Sequence, residues 1–160
     1  MLERCTNNLE RWGGVHRLID QWLEHRKELI SLYVNLEKQV PKSYRPISLE
    51  SKLVDFCNEL VDYASQGHFE IYEQLLREAQ AFNDGSEAIL GELMPEIQQS
   101  TDQLLSFQDQ YAGNPLTEEL KQKLHHDLSI LGESLAERFD HEDRLIADIH
   151  EAHRASLPSL

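Results

Sequence analysis

Leu60-Val61-Asp62-Tyr63-Ala64-Ser65-Gln66-Gly67-His68-Phe69-Glu70-Ile71-Tyr72-Glu73-Gln74-Leu75-Leu76 decides how this chain folds. Apolar residues recur at steps of three and four on both sides of Gly67, the spacing of an amphipathic helix. Leu60, Val61 and Ala64 extend a stripe begun by Leu49, Leu53, Phe56 and Cys57, and Ile71, Tyr72, Leu75, Leu76 and Ala79 carry it on. Gly67 marks a stop or kink, since glycine weakens a helix interior. Glu70 and Glu73 would suit a fresh N-terminus, where carboxylates complement the positive end of the helix dipole. A helix broken near Gly67 is therefore expected.

Three further helical patterns surround it. The first carries Val15, Leu18, Ile19, Trp22, Leu29, Ile30, Tyr33 and Leu36, with Gly13-Gly14 as a weak point, and ends before Pro41. Ser48 is the expected N-cap of the second helix, with Ser51 a weaker competitor. Asn83-Asp84-Gly85 is a turn signal. The third pattern holds Ile89, Leu90, Leu93, Ile97, Leu104, Leu105 and Tyr111, with Pro95 inside it as a kink or a late start. Gly113-Asn114-Pro115 closes it, and Thr117 can cap a last helix bearing Leu120, Leu124, Leu128, Leu131, Leu135, Leu145, Ile146 and Ile149. There is no strand alternation and no internal repeat. Short connections favour antiparallel neighbours. The expected fold is all-α: an antiparallel up-down bundle of four long helices, the second broken near Gly67, in one domain spanning residues 1–160.

Acidic side chains outnumber basic ones by 29 to 15, a net charge of −14. Such a surface repels nucleic acid and anionic membranes and attracts basic partners. Neither direct nucleic-acid binding nor membrane association is expected. Cys5 and Cys57 show no metal spacing, and free thiols fit a reducing compartment. The first residues lack an apolar signal core, and no apolar run approaches the roughly 18 residues of a membrane span. A cytoplasmic monomer is expected.

An enzyme has no residue to rest on here: neither GxSxG nor a phosphate-cradling glycine loop occurs. Glu118-Glu119 and Glu142-Asp143 are adjacent pairs, which do not face each other on a helix and read as solvated faces. Eight histidines raise the alternative of a hemerythrin-like metal-binding bundle. Glu137 with His141, or His16 with Asp20, could touch a metal at i, i+4 spacing. No histidine has the glutamate three residues earlier that di-iron bundles use, and no metal or other cofactor is expected. His68, on an apolar face, reads more simply as a hydrogen-bonded, partly buried side chain. At ~100° per residue Asp62 falls opposite the Leu53/Cys57/Leu60/Ala64 stripe, beside Asp55, Asn58 and Glu59. Phe69 falls at the border of its stripe, where an aromatic either anchors an interface or closes the edge of the core.

The residues that carry a resemblance run along most of the chain. They are Trp22-Leu23-x-x-Arg26-Lys27-x-Leu29 with Tyr33-x-x-Leu36, then Asp55-Phe56-Cys57 and Leu60-Val61-Asp62-Tyr63. Gly67-His68-Phe69-x-Ile71-Tyr72-Glu73 follows, then Leu131-Gly132-Glu133-x-Leu135-x-Glu137-Arg138-Phe139 and Glu142-Asp143-x-Leu145-Ile146. In this order they resemble the Rsd/AlgQ family, the "regulator of sigma D" proteins. Glu10-Arg11-Trp12-Gly13-Gly14-Val15-His16 looks closer to the AlgQ branch. Residues between Phe82 and Thr117 match least. The resemblance implies a helical anti-sigma factor that sequesters the primary sigma factor of RNA polymerase, chiefly through its C-terminal −35-binding domain. It implies Asp62 and Phe69 as first candidates for sigma contact, with Ser65, His68 and Tyr72 as further ones. A generic acidic adaptor with another partner stays open beside it.

Overall fold

A computed structural model describes residues 8–40, 46–83 and 85–156, and every extended element among them is helical. The elements are α1 (Asn8–Gln39), α2 (Pro46–Gln66), a π-helical segment (Gly67–Tyr72), α3 (Glu73–Phe82), α4 (Ser86–Tyr111) and α5 (Glu118–Ser156). None is long and apolar enough to cross a membrane. The helix α1 runs through Gly13 and Gly14 without interruption.

Local chemistry sets the ends. Thr117 accepts the Leu120 amide on its Oγ1 at 3.2 Å, capping α5 as expected. Ser48 does not cap α2, which starts earlier at Pro46. Proline fits the first turn because its missing N–H would have no intrahelical partner there. Asn83 ends α3 in the left-handed region at φ 51°, its amide bonded to the Ala79 carbonyl at 3.0 Å. Pro95 lies inside α4 rather than at its start. The carbonyl it cannot serve is that of Gly91, on an exposed stretch where water can replace the bond.

The buried stripes are largely those the spacing predicts. Trp22, Leu29 and Leu36 of α1 share one buried core with Leu53, Phe56, Cys57 and Leu60 of α2 and with Leu128, Leu131, Leu135, Leu145 and Ile149 of α5. Each such side chain contributes on the order of 1.5–3 kcal/mol through burial. Trp22 stacks on Tyr63 at 5.2 Å between ring centres, and Tyr72 meets Trp22 edge-on at 5.8 Å. Tyr33 meets Phe56 and donates its hydroxyl to the Leu128 carbonyl at 2.9 Å. That hydroxyl lies against Gly132, where a Cβ would collide with it. Cys57 is free and buried, and burial pushes its thiol up to about 12, so it stays protonated at neutral pH. Cys5 lies outside the described residues.

Ile30, Leu76 and Leu105, which the periodicity assigns to core stripes, are instead substantially exposed. For Leu76 and Leu105 the reason lies in the site below.

Candidate partner interface

Helix α2 does not end at Gly67. Its backbone passes into the π-helical segment and out again with helical dihedrals at both Gln66 and Glu73. The expected fresh N-terminus is thus replaced by a widened turn, a feature found often at functional sites. Gly67 sits where a Cβ would meet the Tyr72 hydroxyl at 3.2 Å and the Trp22 ring at 3.4 Å. The close approach of these two rings explains the glycine.

Both ends of the widened turn are tied to the interior. His68 Nε2 shares a hydrogen bond with Thr101 Oγ1 of α4 at 2.7 Å. Arg138 of α5 donates from one terminal nitrogen to the same Thr101 oxygen at 2.7 Å and to Ser100 Oγ at 3.0 Å. Its other terminal nitrogen reaches the Tyr72 hydroxyl at 3.4 Å. Arg138 Nε donates to Glu142 at 2.9 Å, and the Tyr63 hydroxyl donates to the other Glu142 oxygen at 2.6 Å. Arg26 donates to the Tyr63 oxygen at 3.1 Å and to Asp143 at 2.5 Å, with its guanidinium over the Phe139 ring. It approaches Glu142 at 3.6 Å, an ion-pair distance too long for a hydrogen bond. A continuous polar chain therefore crosses the core from His68 to Asp143. Burial pushes the Glu142 carboxyl upward, while Arg138, the Tyr63 hydroxyl and Arg26 each act to hold it down.

Phe69, one residue past the tethered His68, is 72% exposed. It borders a groove formed with Val61, Ala64, Ser65, His68 and, from α4, Gln98, Thr101 and Leu105. A second, largely apolar groove opens on the other side of His68 and Tyr72, between Leu76, Leu90 and Met94, with Glu73 and Glu87 on its walls. The half-exposed Leu105 and Leu76 belong to these two grooves. Asp62 is exposed about two helical turns before Phe69. Glu59 lies beside it, its carboxyl raised by partial burial, Glu28 and Asp62 and lowered by His25. Crowded carboxylates of this kind favour a basic neighbour.

Residues 1–150 match the family described as "Regulator of RNA polymerase sigma(70) subunit, Rsd/AlgQ". The chain belongs to the Rsd/AlgQ family. It is 38% identical over 148 residues to "Regulator of sigma D" of Enterobacter sp. (strain 638), covering 92% of this chain and 88% of that one. The protein of the same name from Yersinia pseudotuberculosis (strain IP 31758) is 35% identical over 147 residues, covering 91% and 87%. That of Yersinia enterocolitica is 33% identical over 159 residues, covering 99% and 95%. No solved structure gives a significant match.

Of the five residues that the Rsd/AlgQ resemblance implies for partner contact, the structure puts four at the surface. Asp62 and Phe69 are exposed, and Ser65 and His68 are half-buried along the first groove. Tyr72 is 4% exposed and holds the turn from inside, because its ring fills the space beside Gly67 and its hydroxyl meets Arg138. Phe69 does not close the edge of the core. Glu142 corrects the expectation of a solvated Glu142-Asp143 pair: Asp143 is exposed, but Glu142 is fully buried with Arg138. A sequence signal for this existed. Positions 131, 135, 138, 142, 145 and 149 step by four and three along one stripe, so Arg138 and Glu142 occupy core positions at ion-pair spacing. Among the described residues, no group of three or more His, Cys, Asp and Glu side chains is placed to hold a metal.

Burial and the nearby Arg138 guanidinium both lower the His68 pKa. A base depressed on folding binds its proton more readily when unfolded, so acid favours the unfolded chain. The stability loss begins as pH falls through the ordinary histidine value of about 6.5. His68→Gln should therefore show a shallower loss between neutral and mildly acidic pH than the parent. Denaturant midpoints measured at several pH values for both proteins check this. An unchanged slope would remove His68 as the source.

Proposed function

We propose that this chain is an anti-sigma factor that binds the primary sigma factor of RNA polymerase and withholds it from core polymerase or promoter DNA. The main contact is the sigma C-terminal domain that reads the −35 element. The observation that carries this reading is Phe69, largely exposed on a groove of an acidic chain, in a family described as regulating the sigma(70) subunit. A sigma surface that binds promoter phosphates is basic. The acidic α1–α2 face around Asp62, Glu59 and Glu28 attracts it, and the groove bordered by Phe69 supplies short-range contact.

The chain acts by binding and not by catalysis, as a cytoplasmic monomer that does not itself bind duplex DNA. Its helices form an antiparallel four-helix bundle. The supporting pairs are Arg26 with Tyr63 and Tyr33 with Phe56 between α1 and α2, and Thr101 with Arg138 and Tyr111 with Asp127 between α4 and α5. In each case one partner number falls as the other rises.

Titrating a labelled C-terminal domain of the primary sigma factor at increasing ionic strength tests the reading. Binding is expected at low salt and should weaken steadily as salt rises, since a chain of net charge −14 meets a basic surface. No binding at low salt would overturn the anti-sigma reading. Salt-insensitive binding would overturn only its electrostatic part.

A further inference from the structure

We propose that buried Arg138 is a positioning residue for the partner surface: through Thr101 and Tyr72 it clamps both ends of the π-helical turn that presents Phe69. This rests on the sigma-binding reading above and deepens it. The argument begins with the turn itself. A π-helical segment has wider hydrogen bonding than the α-helices it joins and needs side chains that favour it over them. Within Gly67–Tyr72, Gly67, Ile71 and Tyr72 are buried, whereas Phe69 and Glu70 point outward.

The two interior ties converge on one guanidinium. His68, just before Phe69, reaches it through the Thr101 hydroxyl; Tyr72, three residues after Phe69, reaches it directly. Arg138 is itself fixed from the far side by Glu142, which Tyr63 also engages. A planar guanidinium presents its donors in a rigid fork. Its orientation therefore sets where Thr101 and Tyr72 lie relative to each other, and with them the span of the turn. Arg138 lines neither groove itself, but Thr101 lines one and Tyr72 the other; its effect on a partner passes through these two residues and the turn that carries Phe69.

Thr101→Val removes the bridging hydroxyl and keeps the side-chain shape, while Thr101→Ser keeps the hydroxyl. Three measurements on the full-length chain test the clamp. They are affinity for the sigma C-terminal domain, amide hydrogen exchange along residues 67–72 and α5, and the same affinity in a Phe69→Ala background. Thr101→Val removes the hydroxyl's bonds to His68, Arg138 and the Ile97 carbonyl and is expected to weaken binding about tenfold. It should speed exchange at residues 67–72 while α5 keeps its protection. Thr101→Ser should match the parent in both. In the Phe69→Ala background, Thr101→Val should add little further loss, because both changes act on one element.

Parental exchange at residues 67–72 in Thr101→Val would overturn the clamp, as would a fully additive loss beside Phe69→Ala. Faster exchange spread evenly over all helices would also overturn it, leaving a general stability effect. If the parent chain does not bind the sigma domain at all, the function proposed above fails. The exchange measurement then judges the clamp alone.

Discussion

Arg138→Met is expected to destabilise the fold by about 3–5 kcal/mol, the range for breaking a buried ion pair from one side. Arg138 and Glu142 are both fully buried and joined at 2.9 Å. Removing the arginine leaves the carboxylate in a low-dielectric interior with only the Tyr63 hydroxyl and the more distant Arg26 to compensate. Ser100, Thr101 and Tyr72 lose a donor at the same time. The double variant Arg138→Met with Glu142→Leu removes both charges and should be more stable than Arg138→Met alone by at least ~1 kcal/mol. Replacing a whole buried pair with apolar side chains is often neutral or stabilising, unlike removing half of it. Arg26 keeps Asp143 in the double variant. Urea unfolding of parent, single and double variants measures all three. A single variant within about 1 kcal/mol of the parent would mean the pair is not coupled as its geometry implies. A double variant worse than the single would show the loss comes from packing instead of the stranded carboxylate.

The helical stripes were legible because burial follows period: Leu53, Phe56, Leu60, Leu128, Leu131 and Leu135 all fall inside as spaced. Thr117 was legible because a hydroxyl before an acidic first turn has one obvious local use. Ser48 misled because Pro46 begins a helix equally well, and local preference cannot choose between two adequate starts. The interior polar chain was hidden for a different reason. A hydrophobic stripe marks where apolar side chains are present, so Arg138 and Glu142 appeared as a gap although they continue the stripe. Their burial depends on Tyr63, Thr101 and Tyr72 arriving from other elements. At Gly67 the residue type pointed to an interruption but not to its form. The π-helical turn depends on ties to α4 and α5, which are distant in sequence. Phe69 was ambiguous at the stripe border because the turn's changed rotation decides which way it faces. Leu76 and Leu105 followed the helical period yet lie on groove walls, where the period is right but the covering layer is absent.

Phe69→Ala is expected to lower affinity for the sigma C-terminal domain by about 2 kcal/mol or more, roughly a thirtyfold loss or greater, while leaving the melting temperature nearly unchanged. With 72% of the residue exposed, truncation removes little buried area, and surface substitutions usually stay within about 0.5 kcal/mol of the parent. An aromatic ring standing at the edge of a groove can bury most of that exposed area on a partner, with little conformational freedom to lose. Asp62→Ala supplies the contrasting case. It also leaves the fold intact, but its smaller effect should appear in the association rate and fade at high salt, because a rim charge steers encounter more than it holds the complex. Calorimetric melting, equilibrium titration and stopped-flow association on the two variants separate these effects. Parental binding by both well-folded variants would refute the surface. An equal loss of stability and affinity in Phe69→Ala would make the ring a structural element and leave Asp62 alone at the interface. A loss confined to affinity for Phe69→Ala, with a salt-dependent loss of association rate for Asp62→Ala, assigns the anchor and the steering charge to positions about two turns apart on one helical run.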